Sequence, residues 1–386
     1  MKIAFVSNFY NHHQKPVADE LYSMADVDYR FIETEKISEE RLKMGWGREE
    51  KPPYVLQTYT DQTAKENCQK IIDEADVVII GSAPTELLKT RLKNRKLTFY
   101  YSERIYKKKP PVYKYPVHFL KNIKRIIRHR NLYLLCASAY TSADYAKVFT
   151  FRNKAYKWGY FPAVKEYDDV DALIDGKTPS SILWAGRFIY WKHPEHAVEV
   201  AKRLKADGYD FKLSMIGSGI LEEQIRELVE REDLSDCVEL LGSMKPEEVR
   251  GYMEKSEIFL FTSDRNEGWG AVLNESMNSA CAVVANSAIG SVGFLLKDGE
   301  SGYMYKDGDV DGLYNKVKNL LDNAKERKRL SKNAYKTMTE EYNPKNAATK
   351  LVGLCERMLG GEYKPFPFAD GVCSKAEILK DSWYRK

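Results

Sequence analysis

Two glutamates bracket a glycine-bearing turn in the stretch EGWGAVLNE, which runs from Glu267 to Glu275. The stretch follows an apolar run typical of a buried strand, and the residues after Gly270 have the apolar spacing of a helix. Backbone N–H groups at a helix start can bind an anion, and carboxylates accept hydrogen bonds from hydroxyl groups. The pattern predicts a ligand in which hydroxyl groups flank a phosphate. The plainer interpretation is a helix-capping glutamate followed by a surface glutamate.

Two cations stand in the loop after another apolar run, in ILWAGRFIYWKH. Arg187 follows Gly186, and Lys192 lies five residues further along. A guanidinium and an ammonium group in one short loop suit a diphosphate, although two solvated surface charges are the alternative. A third run, LSMIGSG, ends at Gly217 and Gly219. Glycines there would let the backbone approach a nucleotide closely, or would simply form a turn.

Short apolar runs alternate with amphipathic helical stretches along the chain. Runs such as VVII and IFLF are apolar without alternation, as in strands covered on both faces. Strand–helix alternation predicts an α/β protein with parallel sheets and right-handed crossovers. We predict strands at Ile3–Ser7, Val27–Ile32, Val77–Ile80, Leu97–Tyr101, Leu132–Ala137, Ile182–Gly186, Phe211–Ile216, Val238–Leu241, Ile258–Thr262 and Val283–Asn286.

The length of 386 residues exceeds one ordinary core and fits two domains. An acidic segment, residues 164–181, breaks the alternation before a fresh strand and marks the boundary. Residues 1–163 and 164–363 are predicted to form two Rossmann-like, doubly wound domains. The tail, about residues 364–386, is expected to pack back on the first domain. Ligands of such sheets bind beyond the carboxyl ends of the strands, where the three loops above lie.

The loop and the glutamate pair together resemble a known signature. A Gly-Arg…Lys loop (Gly186, Arg187, Lys192) followed by two glutamates with seven residues between them (Glu267, Glu275) is similar to the retaining nucleotide-sugar glycosyltransferases of family 4, the group 1 glycosyl transferases. The resemblance covers residues 180–310 closely and the N-terminal half by its order of elements. It implies the GT-B fold, in which an acceptor-side N-terminal domain and a donor-binding C-terminal domain face each other across a cleft.

The resemblance implies a role for each matched position. Arg187 and Lys192 would hold the donor diphosphate and stabilise it as it leaves, Glu267 would contact hydroxyls of the transferred sugar, and Glu275 would bind the ribose. With two cations at the diphosphate, no metal ion is required. The nucleotide-sugar is a co-substrate rather than a cofactor, and UDP is the base-rate choice. The remaining donor-binding positions are Gly186, Gly217, Gly219, Trp269, Gly270, Ala271 and Val272.

The chain departs from the family pattern at three places. The loop after the first strand is SNFYNHHQKP, and its His12 and His13 are assigned to the acceptor side, with solvated bystanders as the alternative. After the fourth strand, Ser102 and Glu103 occupy the place of a family histidine. Glu103 is assigned a contact with the sugar or the acceptor, the alternative being a structural role in which Arg104 has a salt-bridge partner elsewhere. In the second domain, a turn at residues 289–293 replaces a family glutamate. These changes leave the identity of the sugar open.

Composition and charge indicate which classes of protein this chain can belong to. The chain is 43% hydrophobic and 30% charged, with a net charge of +5. No apolar run approaches the ~18 residues that a transmembrane helix requires, and the N-terminus lacks the features of a signal peptide. The six scattered cysteines suggest neither a disulfide framework nor a zinc site. The expected location is therefore cytoplasmic.

Residues 104–130 contain ten Lys or Arg and no Asp or Glu. Within them, FLKNIKRIIRHR has the period of an amphipathic helix, whose plain role is to pack on a sheet. An anionic membrane fits the excess charge, at about 1 kcal/mol per basic residue, while the sugar chemistry elsewhere disfavours nucleic acid. We therefore predict peripheral contact with the cytoplasmic membrane face and a glycan or lipid-linked acceptor, as in the synthesis of cell-surface polysaccharide or glycolipid.

Other classes stay open. A GT-A glycosyltransferase would need a metal-binding Asp-x-Asp after a strand, and the two such strings, Asp169–Asp171 and Asp309–Asp311, are interpreted as solvated. A GT-B nucleotide-sugar epimerase would share the fold but transfer no sugar. A non-catalytic nucleotide-sugar binding protein would not need both cations. A dehydrogenase is disfavoured because no predicted strand is followed by GxGxxG.

Overall fold

A computed structural model describes residues 1–39, 51–107, 114–122, 129–361, 366–380 and 382–384. The chain forms two compact units. The first comprises Met1–Ala163 and Tyr342–Lys380, and the second comprises Val164–Glu341 together with the last residues of the chain. Each unit is built on one β-sheet in which all paired strands are parallel.

The sheet of the first unit has the strand order β3-β2-β1-β4-β5-β6-β7 within the described ranges. Its inner strand β4 has the sequence VVII, and all four side chains are buried, as a strand covered on both faces requires. The strands are β1 Lys2–Ser7, β2 Asp28–Glu33, β3 Val55–Gln57, β4 Val77–Ile80, β5 Thr98–Ser102, β6 Leu132–Cys136 and β7 Ala155–Lys157.

Helices alternate with these strands. Cys68 and Ile72 of one helix pack on β1, β2 and β4, and that helix begins where the Asp61 carboxylate accepts a hydrogen bond from the Ala64 N–H at 2.8 Å. The helices of this part are α1 Lys15–Ser23, α2 Gln62–Glu74, α3 Lys89–Lys93, α4 Tyr115–Asn122 and α5 Thr141–Ala146, with a 3₁₀ turn at Thr85–Leu88.

The sheet of the second unit has the order β10-β9-β8-β11-β12-β13. Its core combines the strands with the apolar faces of the helices, as in Trp184 and Leu260 of the sheet and Val198 of a crossover helix. The strands are β8 Thr178–Ala185, β9 Lys212–Ile216, β10 Val238–Leu240, β11 Ser256–Phe261, β12 Ala282–Asn286 and β13 Tyr303–Tyr305. The helices are α6 Val170–Asp175, α7 Pro194–Ala206, α8 Glu222–Arg231, α9 Pro246–Lys255, α10 Val272–Asn278, α11 Val292–Leu295, α12 Val310–Asp322 and α13 Ala324–Lys336, with a 3₁₀ turn at Tyr190–Lys192 and a π turn at Thr337–Glu341.

The strand order of the second sheet reverses between β8 and β11. The chain runs outward from β8 to β10 on one side and then returns to place β11 on the other side of β8. At such a point the loops leaving the two strands diverge and open a crevice at the carboxyl edge of the sheet, which is the usual ligand site of this architecture. The loop after β8 carries Arg187 and Lys192, and the loop after β11 carries Glu267.

The last helix, α14 at Pro344–Leu359, belongs to the first unit. It packs beside α1 and buries Ala347, Leu351 and Leu354. The sequence predicts a second domain that extends to residue 363, whereas in the structure the apolar face of this helix packs within the first unit. Periodicity identifies an apolar face without saying which surface covers it.

Residues 366–380 also pack on the first unit. The segment lies along edge strand β7, where the Lys157 N–H donates to Ser374 O at 2.8 Å and the Cys373 N–H donates to Lys157 O at 2.8 Å. An isolated antiparallel bridge joins Tyr156 to Lys375. The tail therefore satisfies backbone groups that an edge strand would leave unpaired. Residues 382–384 lie with the second unit, where the Tyr384 hydroxyl donates to Met304 O at 2.6 Å.

Candidate functional site

An open cavity of about 390 Å³ lies at the carboxyl edge of the second sheet. Loops that follow β8, β9, β10 and β11 contribute to its wall, so the cavity occupies the crevice at the strand reversal. Of the predicted site residues, it brings together Gly186, Arg187, Lys192, Gly217, Glu267 and Val272. The wall also contains residues that are not among the predictions: Ala185, Trp191, Ile216, Ser218, Ser243, Met244 and Val249.

Lys192 is held in place by a chain of hydrogen bonds that joins β8 to the loop after β11. The indole N–H of Trp184 donates to Thr262 Oγ1 at 2.8 Å, and that hydroxyl donates to the Lys192 carbonyl at 2.6 Å. Beside it, the Asp264 N–H donates to Trp191 O at 2.9 Å. Because Trp184 and Thr262 are buried, these bonds are shielded from water and fix the turn that carries the lysine.

The Lys192 ammonium forms an ion pair with the Glu267 carboxylate, and each side chain is 14% exposed. Glu267 is oriented further by Ser263, whose hydroxyl donates to Glu267 Oε2 at 3.3 Å, and by its own N–H, which donates to Asp264 O at 3.1 Å. The two charges are thus placed side by side in the cavity wall. A ligand that carries both an anionic group and a hydroxyl can take each of them as a partner.

Arg187 is exposed on the cavity wall, and its guanidinium lies over the Trp191 ring at 5.7 Å. No carboxylate of the described residues forms an ion pair with it. Stacking restricts the orientation of the guanidinium while its N–H groups stay available. The cavity therefore has one cation committed to a carboxylate and a second that is available to an anion.

Gly217 is required by the close approach of two loops. Its φ is +136°, and a Cβ at this position would lie 1.9 Å from the Gly186 carbonyl oxygen. The backbones are tied there, since the Gly186 N–H donates to Ile216 O at 2.9 Å and the Phe188 N–H donates to Ser218 O at 2.9 Å. Gly219 follows in the same turn. The missing side chain at Gly217 thus lets the loop after β9 support the loop that carries Arg187.

The turn between the two predicted glutamates is built around buried Trp269. Its indole N–H donates to Asn274 Oδ1 at 2.9 Å, and Gly270 has a φ of +83° with space for a Cβ blocked by the Phe261 ring at 2.3 Å. Helix α10 then starts beside Ala271, and the Leu273 N–H already bonds Gly270 O at 3.0 Å. Val272 is the residue of this turn that lines the cavity.

Glu275 lies one helical turn further along and is not part of the cavity wall. Burial raises the pKa of its carboxyl group, and the charge of Arg250 offsets part of this shift. No described residue donates a hydrogen bond to the carboxylate. A ligand that donates hydrogen bonds to the Glu275 carboxylate would stabilise its charged form, which burial otherwise disfavours.

A cluster of titratable side chains adjoins the Lys192 turn. His193 Nδ1 lies 2.7 Å from Glu195 Oε1, and His193 Nε2 lies 3.5 Å from Asp264 Oδ2. The hydrogen bonds to Asp264 and then to Glu195 raise the pKa of His193 to about 9, whereas burial and then the charge of His193 lower the pKa of His196. His193, Glu195, His196 and Asp264 are not among the predicted site residues, although the string HPEH places three such side chains within four positions.

In the first unit, the His13 ring stacks on Tyr160 with centroids 5.6 Å apart, and the His12 ring lies 3.9 Å from that of His13. Burial, followed by the neighbouring His12, lowers the pKa of His13 to about 3. The Tyr160 hydroxyl donates to Glu103 Oε1 at 2.5 Å. The structure thus connects predicted acceptor-side residues His13 and Glu103 through one tyrosine that the sequence did not indicate.

The neighbours of Glu103 have structural partners. Lys107 pairs with the Glu103 carboxylate at 2.9 Å, and the Ser102 hydroxyl donates to Glu103 O at 2.7 Å. Arg104 is buried against Asp144, with Nε 3.2 Å from Oδ2. Arg104 therefore has its salt-bridge partner elsewhere, one of the two arrangements considered from the sequence.

The basic stretch at residues 104–130 lies partly outside the described residues, which omit 108–113 and 123–128. Helix α4 falls between these gaps, and its Val117 and Leu120 are 51% and 64% exposed. Phe119 contacts Phe149, which is 76% exposed. In the part of the chain that the structure describes, no helix combines the length and the apolar character needed to cross a bilayer.

The two Asp-x-Asp strings serve as helix starts. Asp169 accepts the Ala172 N–H at 3.0 Å, and Asp309 accepts the Gly312 N–H at 2.9 Å. Asp171 pairs with Lys332 at 2.7 Å. These carboxylates have capping and surface roles, which agrees with their interpretation as solvated groups.

Residues 169–337 match the family model described as "Glycosyl transferases group 1". Over 170 residues the chain is 31% identical to an uncharacterized glycosyltransferase of Methanocaldococcus jannaschii. The aligned region covers 44% of this chain and 45% of the relative. Over 140 residues it is 32% identical to the amylovoran biosynthesis glycosyltransferase AmsK of Erwinia amylovora, covering 35% and 34%. The chain thus spans less than half of the length of these curated relatives.

Solved structures resemble the chain over nearly its whole length. HepE of Anabaena in complex with UDP has a TM-score of 0.66 at 13% identity and covers 92% of this chain and 100% of its own. Sucrose-phosphate synthase of Thermosynechococcus elongatus has a TM-score of 0.62 at 15% identity, covering 94% and 100%. At these identities the likeness concerns the fold. The chain has the GT-B fold, and residues 169–337, within its second unit, are similar to the group 1 glycosyl transferases.

Proposed function

We propose that this protein is a retaining, metal-independent glycosyltransferase that moves a hexosyl group from a nucleoside-diphosphate sugar to an acceptor. The observation that carries the proposal is the cavity at the strand reversal of the second sheet, where an available guanidinium, Arg187, faces the same space as the Lys192–Glu267 pair. The family match of residues 169–337 supports the same reaction class.

The cations suit the step in which the nucleoside diphosphate leaves. Negative charge then develops on a phosphate oxygen, and a cation about 4 Å away contributes about 4 kcal/mol at an intermediate effective dielectric. Arg187 offers a fork of N–H groups to the diphosphate, and Lys192 adds a compact charge. No step of this kind requires a metal ion, because the two side chains supply the positive charge.

The Lys192–Glu267 pair can bind the donor in such a way that each of the two charges keeps a partner. When the donor binds, its diphosphate replaces Glu267 as the ionic partner of Lys192. The Glu267 carboxylate then accepts a hydrogen bond from a hydroxyl of the transferred sugar. Glu275 binds the ribose hydroxyls, which offsets the cost of its burial. The turn from Trp269 to Val272 and the glycines Gly217 and Gly219 shape the space between the two sugars.

UDP is the proposed nucleotide, since the similar HepE structures contain UDP and UDP-glucose. The acceptor is proposed to be a glycan or a lipid-linked sugar in cell-surface polysaccharide or glycolipid synthesis. Relatives carry names of that kind: amylovoran biosynthesis in Erwinia amylovora, and a transferase acting on a diphospho-undecaprenol acceptor in Campylobacter jejuni. His12, His13, Ser102 and Glu103 are the proposed acceptor-side residues.

The proposed location is the cytoplasmic face of a membrane with anionic lipids. The basic residues between positions 104 and 130 other than Arg104, which is buried against Asp144, and the exposed apolar side chains Val117 and Leu120 support it. Half of those charges engaged would give ~5 kcal/mol, which suits reversible docking. In a vesicle sedimentation assay, the protein should pellet with anionic vesicles and dissociate in salt, and Leu120→Asp should pellet less than the control Leu359→Asp. Equal sedimentation with neutral and anionic vesicles at low salt would favour a soluble acceptor.

The reaction is tested by following labelled sugar from a panel of nucleotide-sugars into glycan and lipid acceptors, chosen after a thermal-shift screen. A donor at about 100 times its Kd should stabilise the protein by ~2.7 kcal/mol. Transfer of the sugar with retained anomeric configuration supports the proposal. This transfer activity should be lost in Arg187→Ala and kept in the surface control Arg226→Ala. Conversion of the donor without transfer would indicate an epimerase, and binding without turnover a non-catalytic protein.

A further inference from the structure

Three side chains with metal-binding atoms meet at the start of helix α7. One ligand atom each from His193, Glu195 and His196 lies within 4.8 Å of the others. His193 Nδ1 is 2.7 Å from Glu195 Oε1, and His196 Nε2 is 3.9 Å from the same oxygen. Two imidazoles and a carboxylate form a donor set that suits Zn²⁺ and similar first-row ions. None of the three lines the cavity at the carboxyl edge of the second sheet, called the donor cavity below.

The backbone at His193 is arranged to bring these groups together. The residue has φ 49° and ψ 55°, a left-handed conformation that non-glycine residues seldom adopt. In this conformation its ring stacks on that of His196, with centroids 4.6 Å apart and planes within 10°. An observed strain of this kind is a reason to look for a function that requires it.

Asp264 orients the His193 ring from the other side. Its Oδ2 lies 3.5 Å from His193 Nε2, so that Nδ1 faces the cluster. Histidines that bind metal ions commonly direct their second ring nitrogen to a carboxylate in this way, which fixes the tautomer and the ring plane. Asp264 is itself held in place, because it accepts the Asn266 N–H at 2.7 Å.

The His196 side chain lacks a hydrogen-bond partner among the described residues. Its Nδ1 is buried without one, and its Nε2 is too far from Glu195 for a hydrogen bond. No described residue uses the Nε2 lone pair, which is therefore available to a metal ion. The His196 Nε2 lies near the Glu195 oxygen that His193 Nδ1 also contacts.

We propose that His193 Nδ1, the Glu195 carboxylate and His196 Nε2 bind one divalent transition-metal ion of the Zn²⁺ type. An ion with tetrahedral bonds of about 2.0–2.1 Å separates its ligands by about 3.3 Å. The observed separations of 2.7 and 3.9 Å lie on either side of this value. The two rings, whose planes are nearly parallel, must turn about their side-chain bonds so that both nitrogen lone pairs point at the ion. Binding releases the proton between His193 and Glu195 to solvent, and water takes the fourth position.

The ion would join the start of α7 to the loop after β11 through the contact between His193 and Asp264. That loop carries Glu267, and Lys192 immediately precedes His193. The metal therefore stabilises the turn behind the donor cavity and takes no part in the transfer reaction. Its binding is measured without a nucleotide-sugar, so the inference stands or falls independently of the proposed function.

Cobalt is the probe, because tetrahedral Co²⁺ bound to nitrogen and oxygen has visible absorption bands. Chelator-treated protein without a histidine tag is titrated with Co²⁺. The wild type should develop bands that saturate at one ion per chain and disappear when Zn²⁺ is added. His196→Gln and Glu195→Gln should abolish the bands, and Asp264→Asn should weaken binding by about 10–100-fold.

His193→Gly separates loss of metal from loss of fold, since glycine accepts the left-handed backbone without strain. This variant should show native circular dichroism and no cobalt bands. Two controls should keep the bands: Glu199→Gln, which removes a carboxylate on the same helix, and His12→Ala, which breaks the other adjacent histidine pair. A folded wild type without bands, or bands that persist in His196→Gln and vanish in His12→Ala, would overturn the proposal.

Discussion

Lys192 and Glu267 form an ion pair at the carboxyl ends of two neighbouring strands, 75 positions apart in the sequence, with each side chain 14% exposed. The pair is fixed from behind by Thr262, which bonds the Lys192 carbonyl at 2.6 Å. In the proposed reaction these two charges separate to receive the two halves of the donor, the diphosphate and the sugar.

Replacing Lys192 by alanine should reduce turnover by about a hundredfold or more, because a cation that faces developing charge is lost. Steady-state kinetics on the transfer reaction measures this. Lys255→Ala, on the exposed end of helix α9, is the control and should behave as the wild type. Turnover in Lys192→Ala close to that of the wild type would contradict the phosphate role.

Substitutions of Glu275 and Glu267 should have different effects on nucleotide binding. Glu275→Ala should weaken binding of free UDP or GDP, because it removes the ribose contact. Glu267→Ala should leave that binding nearly unchanged and reduce transfer, because its proposed partner is the sugar. Isothermal titration calorimetry on both variants, with kinetics beside it, distinguishes them. Equal losses in UDP affinity would show that the roles are wrongly assigned.

Glu275 should make the stability of the ligand-free protein depend on pH. Burial raises its pKa in the folded state above the ordinary value of about 4.3, so the folded state holds the proton more strongly than the unfolded state. The contribution is present below the unfolded pKa and is lost as pH rises through the raised pKa. Urea unfolding from acidic to neutral pH should show this loss in the wild type and a flatter profile in Glu275→Gln. The exposed control Glu223→Gln should follow the wild type.

Substituting Gly217 tests how the loops support one another. In Gly217→Ala the new Cβ would lie 1.9 Å from the Gly186 carbonyl oxygen, so the loop that carries Arg187 must move. Gly208→Ala is a matched control, with φ +79° and no atom within 4 Å. Gly208→Ala should lower the free energy of unfolding by about 1–2 kcal/mol, because the left-handed backbone strains the alanine. Gly217→Ala should cost more and should also weaken UDP binding, and equal behaviour of the two variants would refute the packing role.

Transfer activity should survive EDTA, since Arg187 and Lys192 supply the positive charge at the diphosphate. If the site at His193, Glu195 and His196 binds a metal ion, EDTA should lower the melting temperature while donor turnover persists. Thermal melts and transfer assays on the same chelated sample measure both quantities. A strict requirement for a divalent ion in turnover would contradict the proposed mechanism.

The sequence by itself determined the inner part of both sheets. Strands such as Val77–Ile80 and Ser256–Phe261 are buried on both faces, so they appear as unbroken apolar runs at or near the predicted positions. Among the described residues, sequence reasoning missed the strands Val55–Gln57, Ala155–Lys157 and Tyr303–Tyr305. Each has only three residues and lies at the end of the strand order of its sheet, and so short a segment forms no apolar run that stands out in the sequence.

The sequence also located the loops of the candidate site, because in a parallel sheet the residues after each strand must reach the same edge. Only the tertiary structure decided the partners: Lys192 with Glu267, Arg104 with Asp144, and His193 with Asp264. It also decided that helix α14 packs in the first unit. Local patterns report burial and turns near each residue, whereas these contacts join positions 40 to more than 300 residues apart, and only the folded chain specifies which surfaces meet.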